Sequence, residues 1–386
     1  MKKKTFHICL GILMAFTACQ NENPIPFNQE GRGIYLSAEV NGKNFSRTPY
    51  PQTTPTVEKP FHSSVWASTT ENTYQHIPYY GDTIIGETYP VAVHSEATFR
   101  SGINQLLKDV IYPKDNANVY FVGLYPHSGW TSNENYYNQA KLTFTGKEDV
   151  MYAPEVSGNY TGKRVVTLHY YHLLTWLRLK IVAESQEVAN AWGKIEGITI
   201  KSQNNLSIDL TMAATKTEGG NTVFDETCVT FSATEPEPYF PFYGKDSDTE
   251  YATDVTPKAI PYIPYDPDDN VVTNEKIKNH AEEVAYVLCA PVNATNLVDD
   301  GSGTDTMVPT NEYVITLHTT KRKNVTVNVD LKDEEGGLYN KSTMGKQFTV
   351  LLNFQLGNTI AVQTGLTGID DWKHAGGIGE GHLGEQ

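Results

Sequence analysis

The chain has 386 residues, 39% of them hydrophobic, and a formal net charge of −15. That is enough apolar material for one large β domain or two ordinary domains, and too much for a disordered chain. The acidic balance repels nucleic acid and anionic surfaces, so no nucleic-acid partner is expected.

An aromatic content of 11%, led by 23 tyrosines, suits strands better than helical bundles. The first eighteen residues do not read as part of the fold. Lys2, Lys3 and Lys4 form a basic segment, and Ile8 to Phe16 is an apolar run too short to span a bilayer as a mature helix. Phe16-Thr17-Ala18-Cys19 follows. It resembles a bacterial lipobox, which implies cutting before Cys19 and a lipid on its thiol; the alternative is an ordinary signal peptide cut near Ala18. No aspartate follows the cysteine directly, and the polar run Gln20-Asn21-Glu22-Asn23 resembles surface-exported lipoproteins of the Bacteroides group. Loss of residues 1–18 removes three lysines and no acids, taking the formal charge to −18. Of the four cysteines, Cys9 leaves with the leader and Cys19 takes the lipid. Cys228 and Cys289 remain in strand-like runs, as two buried thiols or, since export permits it, as a disulfide.

Residues 19–33 are polar and read as a tether. Ile34 to Phe45 is then a first strand. Ile34, Leu36, Ala38 and Val40 point one way, and Tyr35, Ser37, Glu39 and Asn41 the other. Asn41-Gly42 is a turn pair, Arg47 follows, and Thr48 to Pro60 is a Pro/Thr-rich loop. Further strands are expected over 64–69, 84–89, 119–124, 141–145, 149–153, 165–168 and 172–182, with a short helix over 99–111. A polar, mildly helical stretch at 184–190 suggests a boundary. Beyond it, 195–201 and 206–210 read as a hairpin, followed by strands in 221–231, 283–290, 313–319, 325–331, 347–355 and 359–363. Phe240 to Asn270 is rich in Pro, Tyr and Asp, and a stretch of that length without regular structure has a purpose or is an insertion. Strands in short succession with little helix imply antiparallel sandwiches.

The ordered set of the lipobox, IYLSAEV ahead of Arg47, VYFVGLYPHSGW, DVMYA, HLLTWLRLKIV, WGKIEGITI, YVLCAPV and FTVLLNFQL ending near DDW resembles the fimbrillin family, the two-domain lipoprotein-derived pilus subunits of Bacteroides-type bacteria. The resemblance implies an all-β chain of two transthyretin-like antiparallel β-sandwich domains in tandem. They would run over residues 34–188 and 189–372, with a Gly-rich tail at 373–386. It also implies export to the outer membrane as a lipoprotein, cleavage by an arginine-specific protease after the first strand, and filling of the opened groove by a strand from another subunit. Arg47 matches the cleavage position, before Thr48; cutting at Arg32 would leave the strand attached. The donor strand should lie near the C-terminus: Phe348, Val350, Leu352 and Phe354 alternate but fit the last strand of the body, and Ile360, Val362, Leu366 and Ile369 are the better candidates for a mobile donor segment. The implied partners are other pilus subunits in a homo- or hetero-polymer, the outer membrane through the lipid, and a receptor on a host or bacterial surface.

No nucleophile elbow, zinc spacing or phosphate loop is present, and the histidines are scattered without HExxH. His172 reads as a packed strand-end residue. No catalytic residue, metal or cofactor is expected, so the chain does not read as an enzyme. The acidic runs 246–250 and 266–270 lack the glycine and distal glutamate of a calcium loop and read as solvated. Trp130 and the tyrosines at 79, 80, 136, 137, 262 and 265 either cover sheet edges or form an exposed aromatic surface. On the second choice the rival reading is a surface lipoprotein that does not polymerise, serving as a pilus anchor or a glycan-binding module.

Overall fold

Alternating apolar side chains drive the backbone into strands, and almost all regular structure is β. The computed structural model describes residues 34–40, 61–72, 74, 92–99, 104–105, 112–113, 115–132, 138–163, 165–234, 239–244, 257–292, 296–298, 306–308, 312–332 and 342–368. All of these belong to one unit, Arg32–Gln386. The first nine strands are β1 (Tyr35–Val40), β2 (Phe61–Ser68), β3 (Ala92–Phe99), β4 (Asn104–Gln105), β5 (Val119–Tyr125), β6 (Gln139–Thr143), β7 (Met151–Gly158), β8 (Val165–His172) and β9 (Thr175–Ala183). The helix α1 (Gln186–Trp192) follows, capped by Ser185, whose hydroxyl accepts from the Val188 amide, and ended at Gly193 with φ 83°.

Next come β10 (Lys194–Lys201), β11 (Asn205–Asp209), β12 (Thr215–Glu218), β13 (Asn221–Phe224), β14 (Val229–Ser232), β15 (Tyr239–Pro241), β16 (Tyr243–Gly244) and β17 (Lys258–Ala259). They lead to α2 (Asn274–His280), which Thr273 caps through the Lys276 amide. The chain continues through β18 (Glu282–Cys289), β19 (Asn296–Val298), β20 (Thr306–Val308), β21 (Glu312–Thr319), β22 (Val325–Asp330), β23 (Lys346–Phe354) and β24 (Ile360–Gly368).

One sheet of seven strands runs β3-β2-β5-β7-β8-β1-β4. A five-stranded sheet, β16-β18-β9-β23-β24, packs with a second, β15-β10-β21-β22 with β17 also paired to β10, while β14-β11-β6 forms a smaller sheet beside them. Among the described strands, β1 with β8 and β9 with β23 are parallel pairs; the others are antiparallel. The expected boundary at residues 188–189 falls inside α1. By then β9 has already joined the second half's sheet, between β18 and β23. The passage from the seven-stranded sheet to that sheet lies between His172 and Thr175.

Three local expectations are corrected. Residues 99–111 do not form one helix: Phe99 ends β3, and Asn104 and Gln105 pair with β1. Cross-strand pairing there overrides the local 3.6-residue period. The expected 195–201/206–210 hairpin does not form either. β10 pairs with β21 and β15, and β11 pairs with β6 and β14. Ser202 redirects the chain between them, its hydroxyl donating to the Gln203 carbonyl at 2.9 Å and accepting from the Ala290 amide at 3.0 Å. The 240–270 stretch carries β15, β16 and β17 where it is described, and Tyr262 bridges to Ala183. The strand expected at 84–89, the acidic run at 246–250 and the tail from 373 lie outside the described residues.

Two cores follow from this topology. The larger one joins the inward residues of β9 (Leu177, Leu179, Ile181) and β23 (Phe348, Val350, Leu352, Phe354) to Ile198, Ile200, Ile315 and Leu317 of the facing sheet. Trp192 of α1 meets Phe354 edge-on at 5.1 Å. The smaller one lies under β1. His172, at the end of β8, is buried with its Nδ1 2.7 Å from Oδ2 of the equally buried Asp149, as a packed strand-end residue would be.

Cys228 and Cys289 are both free and buried. Burial pushes each thiol up from 9.0 to about 12, with the Asp225 charge adding to the effect at Cys228. The folded state therefore holds these protons more tightly than the unfolded state. The stability this contributes is complete below the ordinary thiol value and is lost as pH rises from 9.0 towards about 12. At pH 8 neither thiol should react with a disulfide reagent until urea unfolds the chain. A native thiol titrating at the rate of a free cysteine would contradict this burial.

Candidate functional site

The first strand holds the feature with a mechanical consequence. Along β1 the side chains alternate as the sequence predicts: Ile34, Leu36, Ala38 and Val40 are at most 4% exposed, while Glu39 faces solvent. These four enter a compact apolar cluster with Val119 and Phe121 of β5, Met151 and Ala153 of β7, and Val166, Leu168 and Tyr170 of β8. Burying Ile34, Leu36 and Val40 is worth about 1.5–3 kcal/mol each, so β1 supplies roughly 5–9 kcal/mol of apolar burial. Whole domains are stable by only about 5–15 kcal/mol. The small core therefore needs a strand in this seat.

The seat is one-sided. β1 lies parallel to β8 over six residues, from Tyr35 opposite Val165 to Val40 opposite Tyr170. On its other flank only Tyr35 and Leu36 pair, with Gln105 and Asn104 of β4. From Ser37 onward no strand among the described residues pairs along that flank. Outward-facing links to β8 are slight. Ser37 Oγ lies 2.8 Å from Thr167 Oγ1, and His169 Nδ1 lies 3.2 Å from Glu39 Oε2, with both side chains of the latter pair about half exposed. Exposed pairs of this kind contribute about 0–1 kcal/mol.

Backbone pairing and apolar burial thus hold β1, and both depend on the period of the strand more than on particular side chains. The slot floor is preset by Gly123 of β5, where a Cβ would lie 2.2 Å from the Tyr170 hydroxyl. That absent side chain leaves room for Tyr170 to reach Ser63 Oγ at 2.5 Å. Burial raises the Tyr170 hydroxyl above its ordinary range, so it stays neutral.

Cys19, Arg32, Arg47 and Thr48 lie outside the described residues, seven positions separating Arg47 from Val40 at the end of β1. At the other end of the chain, Phe348, Val350, Leu352 and Phe354 belong to β23, central in its sheet, and β24 is the edge strand beside it. Ile360 and Val362 of β24 are buried in the larger core of their own chain. Leu366 pairs with Phe348 through the backbone, and Ile369 lies outside the described residues.

The aromatic residues singled out in the sequence divide. Trp130 is partly buried against the larger core and donates to the Pro126 carbonyl at 2.7 Å. Tyr262 and Tyr265 are 40% and 82% exposed; Tyr79, Tyr80, Tyr136 and Tyr137 lie outside the described residues. Among the described residues no group of His, Cys, Asp and Glu is arranged to hold a metal ion. No described helix is long and apolar enough to cross a membrane. Three features of the site had no signal in local sequence: the parallel partner of β1, the stub β4, and the Gly123–Tyr170 fit. Only long-range pairing reveals them.

Leu36→Ala should lower unfolding free energy by about 2–5 kcal/mol in urea titrations, whereas Glu39→Gln on the outer face should stay within about 1 kcal/mol. Equal effects would show that β1 is not seated as described.

A family model described as Fimbrillin-like matches residues 63–363. No curated relative matches the chain. The fold is similar to that of a fimbrial protein from Bacteroides vulgatus, at 13% identity, with 88% of this chain and 99% of that chain covered and a TM-score of 0.40. It is also similar to a Bacteroides uniformis protein proposed to act in cell adhesion (11% identity, 88% and 98% covered, TM-score 0.44). A third, from Bacteroides thetaiotaomicron and proposed to bind polysaccharide, aligns at 8% identity over 92% of this chain and 98% of that one, with a TM-score of 0.41. With the family model spanning from β2 into β24, the chain belongs to the fimbrillin-like family.

Proposed function

We propose that this fimbrillin-like protein is a structural or adhesive subunit of a cell-surface pilus. On this reading it is exported to the outer membrane as a lipoprotein on Cys19, cut after Arg47 and assembled by donor-strand exchange. The observation that carries the reading is the seat of β1: four buried side chains, Ile34 just before the strand and three along it, close a core, while among the described residues one full ladder and a two-residue stub pair with its backbone. Removal of residues up to 47 would expose a slot lined by β5, β7 and β8 and unpair the edge of β8. An incoming strand of the same period satisfies both, because backbone pairing supplies affinity and alternate pockets supply register. The magnitude favours replacement over vacancy, since an empty seat forfeits burial comparable to the stability of a domain. β24, at the edge of its sheet near the C-terminus, is the donor we favour; to serve, it must leave β23 and give up the burial of Ile360 and Val362, which a seat in another subunit would restore.

The arginines among the described residues are Arg178 and Arg322, and both are held in structure. Arg178 sits within β9, ion-paired to Glu283, and Arg322 stacks on the Trp192 ring at 4.3 Å. A protease needs an extended, accessible chain, and these two positions offer none. Partners on this reading are further pilus subunits and the outer membrane through the lipid.

The N-terminus of the protein in outer-membrane and sheared-surface fractions, read by mass spectrometry, tests the proposal. A sheared form beginning at Thr48, abolished by Arg47→Ala together with polymer formation, is expected. A membrane-held form that begins only at lipidated Cys19 would overturn strand exchange for this chain and leave an anchor that keeps β1.

A further inference from the structure

A second feature lies at the far end of β9. Seven large apolar side chains are exposed among the described residues, and five of them, Tyr262, Tyr265, Val271, Val272 and Leu356, come from the 262–272 segment and the turn after β23. Four of these, all but Tyr262, line one cavity of about 210 Å³. Exposed apolar side chains scatter singly on most surfaces, and gathering around one concavity marks a binding surface. The rim is also rigidly built. The Ile263 amide donates to the Ala183 carbonyl at 2.9 Å and the Ala183 amide to the Pro261 carbonyl at 2.8 Å, so the segment extends the end of β9. Ile263 and Ile277 are buried together with Val182 and Leu351. Lys276 Nζ holds Asp269 Oδ1 at 2.8 Å, and the Asp268 amide donates to Asp266 Oδ1 at 2.9 Å. Tyr265 is thus 82% exposed on a fixed support, a ring paying little entropy on binding.

We propose that this cavity binds a neutral carbohydrate chain. The apolar wall and the open Tyr265 ring suit the C–H face of a sugar ring. The polar wall carries Glu184, Asp266 and Asp269, acceptor-only groups when ionised; one oxygen of each is engaged, Glu184 Oε1 by the Asn353 and Gln355 side-chain amides, Asp266 Oδ1 by the Asp268 amide and Asp269 Oδ1 by Lys276, and the second oxygen of each would accept from the sugar. Those three carboxylates face one ammonium, Lys276, already paired to Asp269, so uronates, sulfated glycans and sialylated ends are repelled. The volume lies below the ~300–1,000 Å³ of sites for drug-sized ligands. It suits one sugar ring, with its neighbours running over Tyr265, and not the broad contact of a protein partner. The site shares no residue with the slot of β1, and it stands or falls independently of strand exchange.

The test uses the full mature chain on an array of neutral gluco-, manno-, galacto- and xylo-oligosaccharides and chito-oligosaccharides, with heparin and polygalacturonate beside them. Expected is binding to at least one neutral series and to neither polyanion, weakened about tenfold or more by Tyr265→Ala and retained by Tyr265→Phe. The thermal midpoint should be the same in all three proteins, because Tyr265 contributes almost no burial. A flat array, a preference for the polyanions, or binding indifferent to Tyr265→Ala would each overturn the site. A sedimentation shift on Tyr265→Ala without glycan binding would overturn it in favour of a contact between copies.

Discussion

The seven-stranded sheet depends on one constraint: its small core cannot close without a strand between β8 and β4. Ile34, Leu36, Ala38 and Val40 occupy that place, and little else about β1 matters energetically. Its outward links to β8 among the described residues are one hydroxyl pair and one half-exposed histidine–carboxylate pair, together worth far less than the burial. The strand exchange proposed above would draw on this same burial and backbone pairing.

β1 and β23 join the body at neighbouring places in sequence. β8 and β9 are separated only by Leu173 and Leu174. β8 takes β1 as a parallel partner, and β9 takes β23 likewise. Parallel pairing requires a long crossover, and here residues 41–164 connect the first pair and residues 184–345 the second. The passage between β8 and β9 is firmly held. The Leu173 amide donates to the Val150 carbonyl at 2.9 Å and the Gly345 amide to the Leu174 carbonyl at 3.2 Å. Thr175 Oγ1 bonds the Thr343 carbonyl at 2.9 Å. The strand that receives β1 and the strand that receives β23 are thus consecutive and rigidly linked.

The outward face of β9 and β23 is covered by a third layer. Val182 and Leu351 point away from the larger core and are buried by Ile263 and Ile277. This accounts for much of the Pro, Tyr and Asp stretch that resists a strand or helix reading. Prolines and an extended bridge at Tyr262 carry it along the sheet end, α2 closes over it, and the tyrosines and valines between those anchors stay open to solvent. The apolar residues that anchor it and the apolar residues that it exposes lie only a few positions apart, which is why composition alone does not separate them.

Much of this protein is legible in one dimension. The alternation in Tyr35–Val40, in Thr175–Ala183 and in Lys346–Phe354 names the strands and their buried faces, because a period of two leaves a strand one way to bury its apolar side. The polar, mildly helical stretch at 184–190 announces α1, whose caps Ser185 and Gly193 the structure supplies. Partnership is not legible, because the pairings that build the sheets join residues far apart in the chain, Tyr35 with Val165 and Phe348 with Leu177 among them. Only the tertiary structure decides that β1 runs parallel to β8, that β10 and β11 part into different sheets, and that β9 belongs with β18 and β23. It also decides that Asn104 and Gln105 pair as strand within a helix-like pattern. Local period is set by each residue's neighbours in sequence; the seat a strand occupies is set by which apolar faces remain to be covered once the rest of the sheet has formed.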